Sequence, residues 1–414
     1  MKIILVNLRY FISGGPERYL FNIKDVLESH GHQVIPFSIK HNLNEPSDYE
    51  KYFLEPIGKG DEVYFREYKK SNIRDIVRLI GRLFYSFEAK RKLSALIREV
   101  KPDLVYVLYF ENKISPSIFD AAKKFHLPLV VRISDFGMIC ATNHFHQKRK
   151  QEICEKCIKK DRRHLITDRC FHDSYSYSIL KYFSYLLHDL LKIQDKVDAY
   201  VIPSDFTVTK YVEYGIPSRK IYHIPTFFNF KNDIAQVQYQ DFALFVGRID
   251  PEKGISTLVD AFIDTDYHLK IIGFSSSDYE NQIKRYLDGK KHNITFPGRM
   301  DFNALSVYLQ KCCFTILPSE CYDNFPNAVL ESFAYKKAVI ATDLGSLKEL
   351  VTHGKNGLLF KNKDSHDLKD KIEYMFTNND KAREFGENGF RKLNDEFSKE
   401  QHYEKLMSLF ISLT

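Results

Sequence analysis

Two cations five residues apart, Arg248 and Lys253, stand in F-V-G-R-I-D-P-E-K-G at 245–254, where an apolar run ends at Gly247 and a helical pattern begins. That spacing suits a diphosphate. A guanidinium grips phosphate oxygens as a fork and an ammonium adds a mobile point charge. The start of a helix beyond a strand's carboxyl end contributes oriented N–H groups and a favourable dipole. Taken alone, the stretch reads as readily as two surface cations in a turn. A second motif changes the balance: P-S-E-C-Y-D-N-F-P-N-A-V-L-E-S-F-A at 318–334 follows the apolar run Phe314 to Leu317. It places Asp323 in a strand-to-helix loop facing a crevice, and Glu331 about one turn into a helix opening near Asn327. Such a carboxylate pair can accept hydrogen bonds from hydroxyls at both ends of a sugar nucleotide. Across the turn Phe325, Pro326 and Asn327, the backbone N–H groups of Phe325 and Asn327 would point at phosphate.

These residues need elements to hold them. Strand-sized apolar runs alternate with helix-period segments along the whole chain, the pattern of parallel sheets covered by helices on both faces, so the class is α/β. In the first half the runs are 3–6, 104–108, 129–133, 199–202 and 221–224, and Tyr19, Leu20, Ile23, Val26 and Leu27 repeat at helical spacing behind Gly14, Gly15 and Pro16. In the second half they are 243–246, 269–272, 294–296, 314–317 and 338–341. A chain of 414 residues suits two domains. The expected division is 1–227, with a polar, cysteine-bearing insertion at 140–173 that lacks core residues of its own, a linker at 228–241, a second domain at 242–395, and a helix at 396–414 crossing back to the first.

With 44% hydrophobic and 28% charged residues, 33 Phe and 26 Tyr, the composition is that of a globular protein. No apolar run approaches the ~20 residues of a membrane span, and the N-terminus reads as a buried first strand, so a cytoplasmic protein is expected. The net charge of +7 is concentrated: residues 73–98 carry seven Lys/Arg against two acids, and 147–163 carry eight against three. No nucleic-acid module accompanies these patches, and no nucleic-acid partner is expected. The first patch lies on an amphipathic helix pair with Ile73, Ile76, Val77, Ile80, Leu83, Phe84 and Phe87 on one face, which suits either the cover of a sheet or contact with an anionic membrane at its cytoplasmic face.

Over 240–375 the order G-R-x-x-x-x-K-G, D-N-F-P-N-A-V-L-E and A-T-D-L-G-S-L-K-E-L-V-x-x-G-K-N-G-L-L-F resembles the donor domain of glycosyltransferase family 4. The Gly14–Gly15 loop and I-P-S-D-F at 202–206 resemble its acceptor-side domain. The resemblance implies the GT-B architecture, two Rossmann-like doubly wound domains facing across a cleft, and a retaining transfer of sugar from a UDP- or GDP-linked donor to a glycan or lipid-linked acceptor, as in cell-envelope polysaccharide assembly. It implies that Arg248 and Lys253 neutralise the diphosphate with no cofactor or divalent metal, that Glu331 holds the ribose, that Asp323 faces the transferred sugar, and that Gly15 approaches the phosphates. Arg299 would lie near the base. Two departures are visible. Asp323 stands where Glu is usual, and R-I-S-D-F carries Ser134 before Asp135 where relatives carry His, so the imidazole contact to the sugar is expected to be missing. These departures keep a second reading open, a non-catalytic nucleotide-sugar binding protein of the same fold.

Of the seven cysteines, Cys312, Cys313 and Cys321 fall in or beside core elements. Cys140, Cys154, Cys157 and Cys170 have the spacing C-x13-C-x2-C-x12-C, which suits a structural zinc site, reduced free thiols or disulfides. His144, His146 and His164 lie close enough in sequence to substitute as ligands.

Overall fold

The computed structural model describes residues 1–58, 73–229, 239–275 and 277–414. Two six-stranded sheets, parallel throughout, account for the apolar runs. From edge to edge the first runs Gln33–Phe37, Lys2–Val6, Leu104–Val107, Leu129–Arg132, Ala199–Ile202 and Ile221–His223. The second runs Asn293–Gly298, His268–Phe274, Phe242–Arg248, Phe314–Leu317, Ala338–Thr342 and Gly357–Phe360. Leu104–Val107, Ala199–Ile202 and Phe314–Leu317 are buried at every position, because helices cover both faces of each sheet. Strand order reverses between Lys2–Val6 and Leu104–Val107, and again between Phe242–Arg248 and Phe314–Leu317. Loops that leave such neighbouring strands turn to opposite faces and open a crevice between them.

The helix Gly15–Ser29 shows how sequence sets its packing. Pro16 occupies the first turn, where its missing N–H costs nothing. Tyr19, Leu20, Ile23, Val26 and Leu27 form one buried stripe, and each full burial of a large apolar side chain contributes roughly 1.5–3 kcal/mol. The far side of this helix meets Lys399–Leu413, whose Leu406, Met407, Leu409 and Phe410 join the cluster around Ile3, Leu5, Tyr19 and Leu20. Tyr19 Oη and His402 Nε2 lie 2.9 Å apart, and His402 Nδ1 lies 2.7 Å from the Pro225 carbonyl.

Two expectations need correction. The insertion at 140–173 does carry core residues: Phe145, Cys157, Ile158 and Leu165 are buried, and Leu165 packs with Ala141 and Tyr185 of the helix Tyr175–Leu190. Its polar sequence hid them because the apolar side chains come singly or in pairs between polar and charged residues, with no strand or helix period. The amphipathic pair is the helices Ile73–Phe84 and Phe87–Val100, but only the second lays its apolar stripe on the sheet. Ile76, Val77 and Ile80 stay 41% to 64% exposed, while the charged Arg82 is buried and bonded to the Glu55 carbonyl and paired with Glu88. Most of the stretch expected as a linker, 230–238, lies outside the described residues. Among the described residues no helix is long and apolar enough to cross a membrane.

Candidate functional site

The two crevices face each other, and residues at the ends of five strands and in the loops beyond them line one cleft of about 390 Å³. From the second sheet come Gly247, Arg248 and Lys253 after one strand, and Asp323, Phe325, Pro326 and Asn327 after the next. From the first sheet come Gly15, Ser134, Asp135 and Tyr109. Gly14 caps the helix behind Gly15 in an extended conformation.

Backbone geometry fixes the cations. The strand Phe242–Arg248 passes into a single 3-10 turn, Pro251–Lys253, and then Gly254 at φ +69. A Cβ on Gly254 would lie 1.9 Å from the Pro318 carbonyl oxygen, so only glycine lets the turn close against the loop that carries Asp323. The Glu320 N–H donates to the Glu252 carbonyl at 2.9 Å and locks the two loops together. As a result Lys253 Nζ donates to Asp323 Oδ1 at 2.5 Å, with both side chains mostly covered. Arg248 is held by Asp250 and, at 3.4 Å, by Glu252.

Burial disfavours the ammonium of Lys253, but Asp323 outweighs it and the pKa is raised. Burial likewise pushes the Asp323 carboxyl up, and Lys253 more than reverses this, leaving it below the usual carboxylate range. Arg248 behaves as Lys253 does, with Asp250 and Glu252 outweighing burial. The cleft therefore holds two firmly charged cations, each parked on a carboxylate. Asp135 differs: burial raises it to about 6, although it accepts from the Gly137 N–H at 2.7 Å and from Asn143 Nδ2 at 3.0 Å.

Other expected residues are less open. Glu331 is buried and bonded to Arg18 of the first half, whose guanidinium lies over the Phe302 ring. Its carboxyl is raised by burial, with Arg18 only partly offsetting that. Arg299 stands outside the cleft lining, 3.5 Å from the Ser13 carbonyl and stacked on Phe274. Asn327 Nδ2 reaches the Gly15 carbonyl at 3.4 Å, and a Cβ on Gly15 would come within 2.9 Å of that amide. Ser134 donates to the Leu108 carbonyl.

Ser134 brings no imidazole to the cleft, but another segment does. His144, from the cysteine-bearing insertion, lines it beside Asp323. Burial, then Arg248 and Lys253, lower its pKa to about 3, so the ring is neutral at ordinary pH and can both donate and accept. Arg132 was also missed: it lies buried over the Tyr19 ring at 3.9 Å and donates to Thr226 and Ser134. Asn324 spans the halves, donating to the Ile133 carbonyl at 2.8 Å and accepting from Thr207 at 2.8 Å. Asn324 lay inside the quoted D-N-F-P, which was its one available signal. His144 had none beyond being a histidine in a polar loop.

Of the four clustered cysteines, Cys140 Sγ lies 3.2 Å from Thr142 Oγ1, and Cys157 Sγ lies 3.4 Å from His164 Nε2. All four thiols are free of disulfide bonds. Among the described residues no three His, Cys, Asp or Glu side chains are grouped so as to hold a metal ion.

Known proteins place this geometry. Residues 227–392 match Glycosyl transferases group 1 and residues 13–231 match Glycosyltransferase Family 4. An uncharacterized glycosyltransferase of Methanocaldococcus jannaschii is 36% identical over 165 residues, 40% of this chain and 45% of the relative. The capsular polysaccharide biosynthesis glycosyltransferase CapM of Staphylococcus aureus is 25% identical over 171 residues, 40% of this chain and 44% of the relative. The chain thus spans less than half the length of these curated relatives. Sucrose-phosphate synthase from Thermosynechococcus elongatus superposes with a TM-score of 0.72 at 18% identity, covering 100% of this chain and 98% of that one. Anabaena HepE, solved with UDP, superposes at 0.63 and 16% identity over 100% of both chains. The two facing doubly wound sheets are therefore the GT-B architecture, and with residues 13–231 matched, more than half of its length, the chain belongs to Glycosyltransferase Family 4.

Proposed function

We propose that the protein transfers a sugar, with retention of anomeric configuration and without a divalent metal, from a nucleoside diphosphate sugar to a glycan or lipid-linked acceptor in cell-envelope polysaccharide assembly. The observation that carries the reading is the convergence of Arg248 and Lys253 on one cleft opposite Gly15. When the donor enters, its diphosphate displaces carboxylates as the partner of both cations, and fixed positive charge in a covered site stabilises the negative charge that develops on leaving. Asp323, released by Lys253, and the neutral His144 then face the sugar hydroxyls. Glu331 accepts from the ribose at the carboxylate that Arg18 holds. The bond from the anomeric carbon to phosphate oxygen breaks, the acceptor oxygen bonds on the same face, and its proton passes to the departing phosphate. The products are a glycoside and a nucleoside diphosphate.

Two similar proteins support the finer points. HepE is solved with UDP-glucose, which favours a uridine donor, and CapM belongs to capsular polysaccharide biosynthesis. Thermal stabilisation by a panel of nucleotide sugars, followed by assay of nucleoside diphosphate release and of the product anomer by NMR, tests the reading. A protein that binds a donor yet releases nothing with any acceptor would favour the binding-protein alternative. A structural zinc on Cys140, Cys154, Cys157 and Cys170 stays a separate proposal. It requires the side chains to rearrange beyond the Cys140–Thr142 and Cys157–His164 contacts.

A further inference from the structure

A second pocket, of about 280 Å³, opens in the first half beside the donor cleft. Its walls are apolar side chains of two neighbouring helices: Leu79, Ile80 and Leu83 of Ile73–Phe84, and Tyr177 and Leu180 of Tyr175–Leu190. Tyr109 and Asn143 line both this pocket and the cleft. Asn143 in turn donates to Asp135, so a wall two side chains thick divides the pocket from the place where the sugar would sit. The outer surface of the same helices continues the apolar character, with Ile76, Val77, Ile179, Phe183 and Leu186 all exposed. Two cations stand at the pocket, Lys113 and Lys148. Burial, then Arg9 and Arg82, lower Lys113 to about 8, so it remains mostly charged at pH 7. Burial and Asp135 raise the nearby Glu111 to about 8, so that group is mostly neutral there. The pocket is thus greasy in its walls, carries two lysines at its lining and shares a wall with the donor site.

An apolar hollow inside a helix pair is ordinarily filled by the protein's own side chains, since an empty one forfeits packing energy. A soluble glycan would gain nothing from Leu79, Ile80 and Leu83, and a bare hydrocarbon nothing from the two lysines. We infer that this pocket is an acceptor subsite for an amphipathic phosphate ester, taking its aliphatic chain between the two helices, its phosphate beside Lys113 and Lys148, and passing its sugar end by Tyr109 and Asn143 into the cleft. The inference rests on the sugar-transfer reading and selects the lipid-linked class of acceptor. The exposed apolar residues outside the pocket then mark the face that meets the lipid surface from which the chain is drawn.

The test is calorimetric titration of the full chain with butyl, octyl and dodecyl phosphate below their micellar concentrations, with inorganic phosphate and UDP as separate arms. Each buried methylene is expected to tighten binding about fourfold, on the order of a hundredfold from butyl to octyl, at one site per chain. Inorganic phosphate should not compete with the octyl ester. Ile80→Asp, at a 41% exposed position, should weaken octyl phosphate tenfold or more, and Tyr177→Ala, at 38%, several-fold, with thermal unfolding confirming that both variants fold. Affinity independent of chain length, non-saturating uptake, or unchanged binding by both variants would overturn the subsite. UDP binding by the wild-type chain is read independently, so failure of the donor reading shows in that arm alone.

Discussion

Replacing Lys253 by Met, Asp323 by Asn, and both together separates what this ion pair does for the fold from what it does for the donor. The two groups are 2.5 Å apart, with side chains 17% and 13% exposed. Removing one member of a buried pair costs about 3–5 kcal/mol, because the other charge stays buried without its partner. The residual exposure sets Lys253→Met near the lower end, about 3 kcal/mol. In that variant the largest lowering influence on Asp323 is gone, leaving burial against Ser319 and His144, and its carboxyl, now held below the usual range, moves up. A folded-state pKa above the unfolded one makes stability greatest in acid and lost as pH rises through the carboxyl range, so the Lys253→Met penalty should shrink below pH 4. Asp323→Asn keeps an acceptor for the ammonium and should cost about 1–2 kcal/mol. In the double variant no buried charge is left unpaired, and the coupling recovered should be about 2 kcal/mol. Urea denaturation at pH 7 measures all three. Donor turnover follows a different rule: each variant loses at least about 10²–10³-fold, and the double variant recovers none of it. Additive stability costs, together with restored turnover in the double variant, would refute the reasoning.

Gly254→Ala forces a side chain at φ +69 into the Pro318 carbonyl, and the left-handed cost and the clash together should lower the unfolding free energy by about 2–5 kcal/mol, whereas Gly15→Ala meets only the movable Asn327 amide and should cost under about 1 kcal/mol while weakening the donor. His402 should govern part of the acid sensitivity. Burial lowers it to about 3, so the native ring stays neutral while the unfolded chain takes up a proton below its ordinary 6.5; stability present above that pH is lost as pH falls, by about 2 kcal/mol between 6.5 and 5, and His402→Asn should flatten the slope in urea titrations at the two pH values. Activity should survive EDTA if Arg248 and Lys253 alone serve the diphosphate. Elemental analysis of purified protein never exposed to chelator should return about one zinc per chain if the insertion holds a metal, and a folded, active, zinc-free protein would end that proposal.

Sheet strands were legible because parallel strands buried on both faces spell unbroken apolar runs: 314–317 was read with the bounds that the structure gives, and the helix at Asn327 began where the motif placed it. Asp323 and Lys253 were legible as chemistry because each lies in a short strand-to-helix turn whose geometry is local. What stayed hidden was every partnership between distant segments. Arg18 and Glu331 are 313 positions apart, and nothing near either announces the other. His144 reaches the cleft only because the insertion folds back under the second half, where the Tyr322 N–H donates to its carbonyl. The outward face of Ile73–Phe84 was ambiguous for a related reason: an apolar stripe states that something covers it, and not what.

The helix Lys399–Leu413 carries a consequence for biosynthesis. Its Leu406, Met407, Leu409 and Phe410 complete the apolar cluster over the very first strand. While the ribosome is still translating the second sheet, the opening segment has its strands but lacks this cover, and its greasy flank stays open to other chains. A nascent chain halted before Lys399 therefore leaves that flank uncovered, and the N-terminal half cannot reach its final packing until Lys399–Leu413 has been made.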